Sequence, residues 1–99
     1  MDDKVKLMLL KQDLGIFSDA KDDYLRHLLE QAEGRIQEEG IRKEKEDKQQ
    51  PVYDGLHIQY AAYLFRKRAG TDTTMPRFLR YGLNNLLFSQ KSRGQEDGV

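Results

Sequence analysis

The sequence predicts an all-α fold, a small domain of four main helices, and three observations carry that prediction. Leu, Lys, Glu, Gln and Arg, all good helix formers, dominate the chain. Val, Ile and Thr, which strands favour, number only ten of 99 residues, and the three Thr crowd into 71–74. Four segments repeat apolar residues at three- and four-residue spacing between Gly and Pro punctuation. The core is lean. Leu, Ile, Val and Phe make up 24 of 99 residues, enough to argue against disorder throughout. A chain of this length, however, buries only about 60–65% of the surface it exposes when unfolded. The fold is therefore expected to lean on a partner or on self-association.

The first segment spans about Asp3 to Leu14. Val5, Leu7, Met8, Leu9, Leu10 and Leu14 supply the apolar positions, with Lys4, Lys6, Lys11 and Gln12 between them. Gly15 follows as a left-handed terminator, and Ile16 and Phe17 are expected to plug the joint to the next helix. The second segment has Ser18 or Asp19 as its cap and Asp19, Asp22 and Asp23 at the positive end of its dipole. Tyr24, Leu25, Leu28, Leu29, Ala32 and Ile36 form its stripe, and Gly40 ends it. Residues 41–50 carry seven charges and one apolar side chain, Ile41, and read as a charged loop between helices two and three. Pro51 disfavours helix at Gln50, so the third segment is expected to open at Asp54 and run to Ala69, with Gly70 as its stop. It is apolar over most of its girth, which places it at the centre of the core or against a partner. Pro76 suits the first turn of the fourth segment, in which Phe78, Leu79, Leu83, Leu86, Leu87 and Phe88 recur at helical spacing. From Ser89 the chain is polar. This divides it into a helical domain, 1–88, and a flexible C-terminal tail, 89–99. The expected core is Leu7, Leu10, Leu25, Leu28, Leu29, Ala32, Ile36, Ala61, Leu64, Phe65, Leu79 and Leu83.

Composition excludes several classes. Without Cys there is no disulfide framework, thiolate metal site or thiol nucleophile, which fits a cytosolic setting. The longest unbroken aliphatic run, Leu7–Leu10, is far short of the roughly 20 residues of a membrane span, and the opening MDDKVK has no signal-peptide core, so no membrane partner is expected. The net charge is zero, but residues 1–50 carry −3 and residues 51–99 carry +3. That asymmetry suits head-to-tail contact between copies.

Candidate chemistry is sparse. His27 and His57 lack a second His at metal-like spacing, and Glu30, three residues after His27, makes only one pair, so both histidines read as ordinary surface or boundary residues. The carboxylate pairs Asp2/Asp3, Asp22/Asp23 and Glu38/Glu39 are adjacent in sequence and diverge by about 100° on a helix. No nucleophile elbow, phosphate loop, dinucleotide fingerprint or calcium loop is present, so neither enzyme activity nor a cofactor is expected. A helix-turn-helix reading of segments one and two fails on charge, because Asp19, Asp22 and Asp23 would face phosphates. The better basic cluster is Arg66, Lys67, Arg68, Arg77 and Arg80, with Tyr63, Phe78 and Tyr81 nearby. It is a candidate for subunit contact or for loose contact with duplex DNA. Its plainer reading is a complement to the helix dipole with salt bridges to acidic neighbours.

The order of parts is VKLMLLKQDLGI, DAKDDYLRHLLEQAEGRIQ, a polar stretch, DGLHIQYAAYLFRKRAG and MPRFLRYGLNNLLFSQ. It resembles the head–tail connector (adaptor) proteins of long-tailed bacteriophages and prophages, a family also described as DNA-packaging proteins. The resemblance covers about residues 3–90. It rests on the Leu14–Ile16 turn, the spacing of Leu25, Leu28, Leu29 and Ala32, and the aromatic helix ending RKRAG. The charged run at 41–50 departs from the family pattern. The resemblance implies a structural virion protein at the head–tail junction, present in the bacterial cytoplasm during assembly. Its partners would be further copies in a ring of about twelve, the portal protein, and a head-completion or tail protein, with duplex DNA passing non-specifically through the channel. Phe88, Ser89, Gln90 and Lys91 would dock to the portal, the tail continuing helix four on assembly. The alternatives are a small helical adaptor or regulatory protein bound to one partner, and a weak nucleic-acid-binding module.

Overall fold

The computed structural model describes residues 1–43, 50–70 and 74–97, with side chains to Ser92. The described residues are all-α, with four helices: α1 (Asp3–Leu14), α2 (Asp22–Glu38), α3 (Gln50–Arg68) and α4 (Arg77–Asp97). The charged run at 44–49, the Thr loop at 71–73 and the last two residues lie outside the described residues.

Each helix is bounded by local chemistry. The Asp2 carboxylate accepts from the Val5 amide at 3.0 Å and caps α1. At the other end Gly15 takes φ +72°, and the Ile16 amide reaches back to the Lys11 carbonyl at 2.9 Å, closing a Schellman turn. Gly40 and Gly70 adopt positive φ where α2 and α3 end. Two expected starts are corrected. Neither Ser18 nor Asp19 caps α2. Lys21 takes the capping position without a side-chain bond, because Asp19 and Asp22 instead grip Lys11 across the turn at 3.1 and 2.8 Å. α3 starts at Gln50, four residues before Asp54. Pro51 is tolerated in the first turn, where its missing N–H has no intrahelical partner to lose, and the fully buried Tyr53 anchors that turn.

α3 is the central helix. It packs on α2, α1 and α4, which accounts for the apolar character of most of its girth. The core joins Leu7 and Leu10 of α1, Leu25, Leu28, Leu29, Ala32 and Ile36 of α2, Tyr53, Leu56, Ile58, Tyr60, Ala61 and Ala62 of α3, and Leu79, Leu83 and Leu86 of α4. Leu64 and Phe65, expected inside, are half-buried at its margin. Ile41, set in the charged run, is core: it tucks in just after α2, so the start of that run is pinned rather than solvated. Phe17 does not plug the first joint and is 89% exposed, while Ile16 fills it.

α4 lies close to α3. A Cβ built at Gly82 would come within 2.5 Å of Leu56 Cδ2, so the glycine permits the approach of the two helices. The helix does not stop at Phe88. It continues through the expected tail to Asp97, so the boundary between domain and tail at residue 88 falls inside α4. Gln90 explains the continuation. Its buried amide accepts from the Arg42 N–H at 2.8 Å and donates to the Arg42 carbonyl at 2.7 Å, fastening the helix to the chain that follows α2.

Candidate functional site

Two kinds of surface merit attention, one inside and one outside. Inside, Lys6 of α1 meets α3. Only 2% of Lys6 is exposed, although its flanking position in the helical pattern marks it for solvent. Its Nζ donates to His57 Nδ1 at 2.8 Å and pairs with Asp54 Oδ1 at 3.1 Å. It also sits 5.6 Å from the centre of the Tyr53 ring. The N-terminal ammonium lies 3.5 Å from Asp54 Oδ2. His57 Nε2 is 2.7 Å from the Leu29 carbonyl of α2. One tautomer satisfies both contacts: Nε2 carries the proton and donates to Leu29, and Nδ1 accepts from the ammonium. Burial, followed by the Lys6 charge, lowers the His57 pKa, although the Leu29 bond opposes the shift. Burial also pushes the Tyr53 phenol up to about 12, with the charges of Glu33 and Asp54 adding to the effect. A cavity of about 260 Å³ opens beside this cluster, lined by Asp3, Lys6, Arg26, Leu29, Glu30, Glu33 and His57. His57 is therefore no boundary residue, and Asp54 is no cap. His27 is exposed, as expected. Their spacing offers a signal: Asp54, His57 and Ala61 share one face of α3, and Ala61 is a core position. Among the described residues no group of three or more His, Asp or Glu could hold a metal ion.

Outside, the basic cluster is largely engaged within the chain. Arg66 pairs with Asp13 at 3.1 Å. Lys67 lies over the Tyr63 ring and Arg68 over the Tyr24 ring, and Arg68 also reaches Gln31. Arg80 forms a fork with Glu39 at 2.6 and 3.1 Å, which holds its pKa above the ordinary arginine value, and it is half-buried. Arg77 is exposed at the start of α4. The structure does not gather these five cations into one continuous patch: Arg66, Arg68 and Arg80 are turned toward acceptors on α1, α2 and the end of α2. The four portal-docking candidates divide similarly. Phe88 and Lys91 face outward, Ser89 is half-buried, and the Gln90 amide is committed to Arg42.

The larger outward feature is apolar. Phe78, Tyr81 and Phe88 are each 62 to 67% exposed, and their spacing of three and seven residues sets them on one face of α4, opposite Leu79, Leu83 and Leu86. A second exposed apolar patch lies on α1, where Val5 and Met8 are three residues apart, with Met1 exposed just before the helix. It adjoins an open groove of about 330 Å³ formed with Leu7, Ile16 and Phe17. The sequence marked all of these side chains as apolar but did not separate the inward from the outward ones.

The chain matches no protein-family model, and no curated protein or solved structure is detectably similar to it. Among the described residues no helix is long and apolar enough to cross a membrane.

Proposed function

We propose that this protein is a non-catalytic assembly subunit, a head–tail connector that forms a ring at the portal vertex of a phage capsid and lines the DNA channel. The observation that carries the reading is the presence of two outward apolar patches on different parts of the chain, Phe78/Tyr81/Phe88 on α4 and Val5/Met8 on α1 with Met1 just before that helix. Exposed apolar patches of this kind mark contact surfaces. Two unlike patches on one chain favour heterologous contact, which closes into a ring when the rotation permits. The sequence resemblance supports its setting in a virion. The engagement of Arg66, Arg68 and Arg80 with internal partners favours this reading over a nucleic-acid module.

The test is assembly. The protein mixed with a phage portal protein should give ring-shaped particles in negative stain. Phe78→Ser/Phe88→Ser should abolish them while the helical spectrum stays unchanged. Clean monomers at millimolar concentration, with and without the portal, would remove the proposal. Binding to duplex DNA that weakens steeply with salt, in the absence of self-association, would favour the nucleic-acid alternative.

A further inference from the structure

We propose that Lys6, Asp54 and His57 form an acid-sensitive latch that holds α1 onto the rest of the domain, and that protonation of His57 releases α1 alone. The inference rests on the hydrogen-bond pattern and is independent of the assembly reading. Both ring nitrogens of His57 are committed, one as donor to the Leu29 carbonyl and the other as acceptor from Lys6. A second proton has only Nδ1 to occupy. There it would point a donor at another donor 2.8 Å away and set two cations side by side in a buried site. Asp54 pairs with the Lys6 ammonium.

The charged surroundings set the direction of the effect. From α1 the ring faces Lys6 and, across the cavity, Asp3, with the Met1 ammonium beside Asp54. α2 contributes Arg26, Glu30 and Glu33, and α3 contributes Tyr53 and Asp54. The Lys43 charge acts from beyond α2. Glu33 favours the imidazolium, whereas Lys6 and Lys43 oppose it, and burial opposes it most. His57 thus binds its proton less readily with α1 seated than with α1 detached, where the ring regains an ordinary pKa near 6.5. Seating is fully favoured above about pH 6.5 and weakens as pH falls, with the opening constant rising by up to about tenfold per pH unit.

α1 is suited to leave alone. It is a terminal helix of 12 residues, and besides Lys6 it buries only Leu7 and Leu10. α2, α3 and α4 retain their mutual contacts without it.

The experiment is NMR on the full chain between pH 7.5 and 5.0, a window above the ordinary titration of the nearby carboxylates. The two histidines give two imidazole signals, and His57→Gln assigns them. Amide exchange is followed in all four helices, corrected for the intrinsic pH dependence. The expected result is His57 titrating below the ordinary histidine value, and α1 amides opening up to about tenfold faster per pH unit while those of α2 and α3 do not. His57→Gln, which keeps one acceptor and one donor but cannot titrate, should make α1 opening independent of pH. Titration of His57 at the ordinary histidine value without a change in α1 exchange would overturn the latch. So would acceleration of all four helices together, or an unchanged pH dependence in the Gln variant. If that variant fails to fold, the wild-type comparison of His57 titration with α1 exchange still decides.

Discussion

α1 and α4 both pack on α3, but the surfaces that hold them differ in kind. α1 is fastened by a buried ammonium, a carboxylate and a neutral imidazole around two leucines. α4 is fastened by Leu79, Leu83 and Leu86, by a backbone notch at Gly82 and by one neutral amide clasp at Gln90. The first anchor is directional and conditional on charge, because each of its members is costly to bury without the others. The second is mostly area and shape, which respond weakly to pH and salt. Two helices on one scaffold can thus differ in what dislodges them.

The largest expected effect lies at the charged anchor. Asp54→Ala leaves Lys6 buried without its counter-ion and should cost about 3–5 kcal/mol in urea unfolding. The double variant Lys6→Met/Asp54→Leu should recover most of that loss, since a well-packed apolar pair often replaces a buried ion pair at little cost. A double variant no more stable than the single one would show that the anchor works through geometry rather than charge. At the apolar anchor, Leu83→Ala should cost about 2–5 kcal/mol, and the loss should be the same at pH 5.5 and 7.5. Gln90→Ala should cost about 1–3 kcal/mol by leaving Arg42 backbone groups unpaired, with faster amide exchange confined to the end of α4. The glycines give the smallest and most discriminating pair. Gly34 has nothing near its missing Cβ, so Gly34→Ala should stabilise by about 1 kcal/mol. Gly82→Ala gains the same propensity but brings its Cβ to 2.5 Å from Leu56 Cδ2, a terminal methyl that must shift, so its gain should be smaller. The Gly34→Ala variant should melt at a higher temperature than the Gly82→Ala variant.

The sequence was informative where the physics is local. Helical period, the Schellman glycine after Leu14 and the stops at Gly40 and Gly70 all appear in the structure, and so does the core stripe from Leu25 to Ile36. It was silent where a polar residue is satisfied by a distant one. Lys6 looks like any flanking lysine until α3 brings Asp54 and His57 against it, 48 and 51 residues away. Gln90 looks like the start of a polar tail until Arg42 is found beside it. Patterns of apolar residues cannot forecast such pairs, because they assign every charge and amide to water. For the same reason the basic cluster looked freer than it is: the acceptors of Arg66, Arg68 and Arg80 lie at Asp13, Gln31 and Glu39, all in the other half of the chain.

The contact between Gly82 and Leu56 reaches beyond stability. A side chain seated over a bare backbone works as a key in a slot: turning α4 about its own axis or sliding it by a residue along α3 would bring another side chain against Leu56 in place of the glycine. Either motion would swing Phe78, Tyr81 and Phe88 away from their present direction, so the bearing of the outer aromatic face is set from within. Among relatives of this chain, positions 56 and 82 should therefore drift as a pair, bulk gained at one being matched by bulk lost at the other. A lineage that broke the pairing would keep its helices and lose the aim of that face.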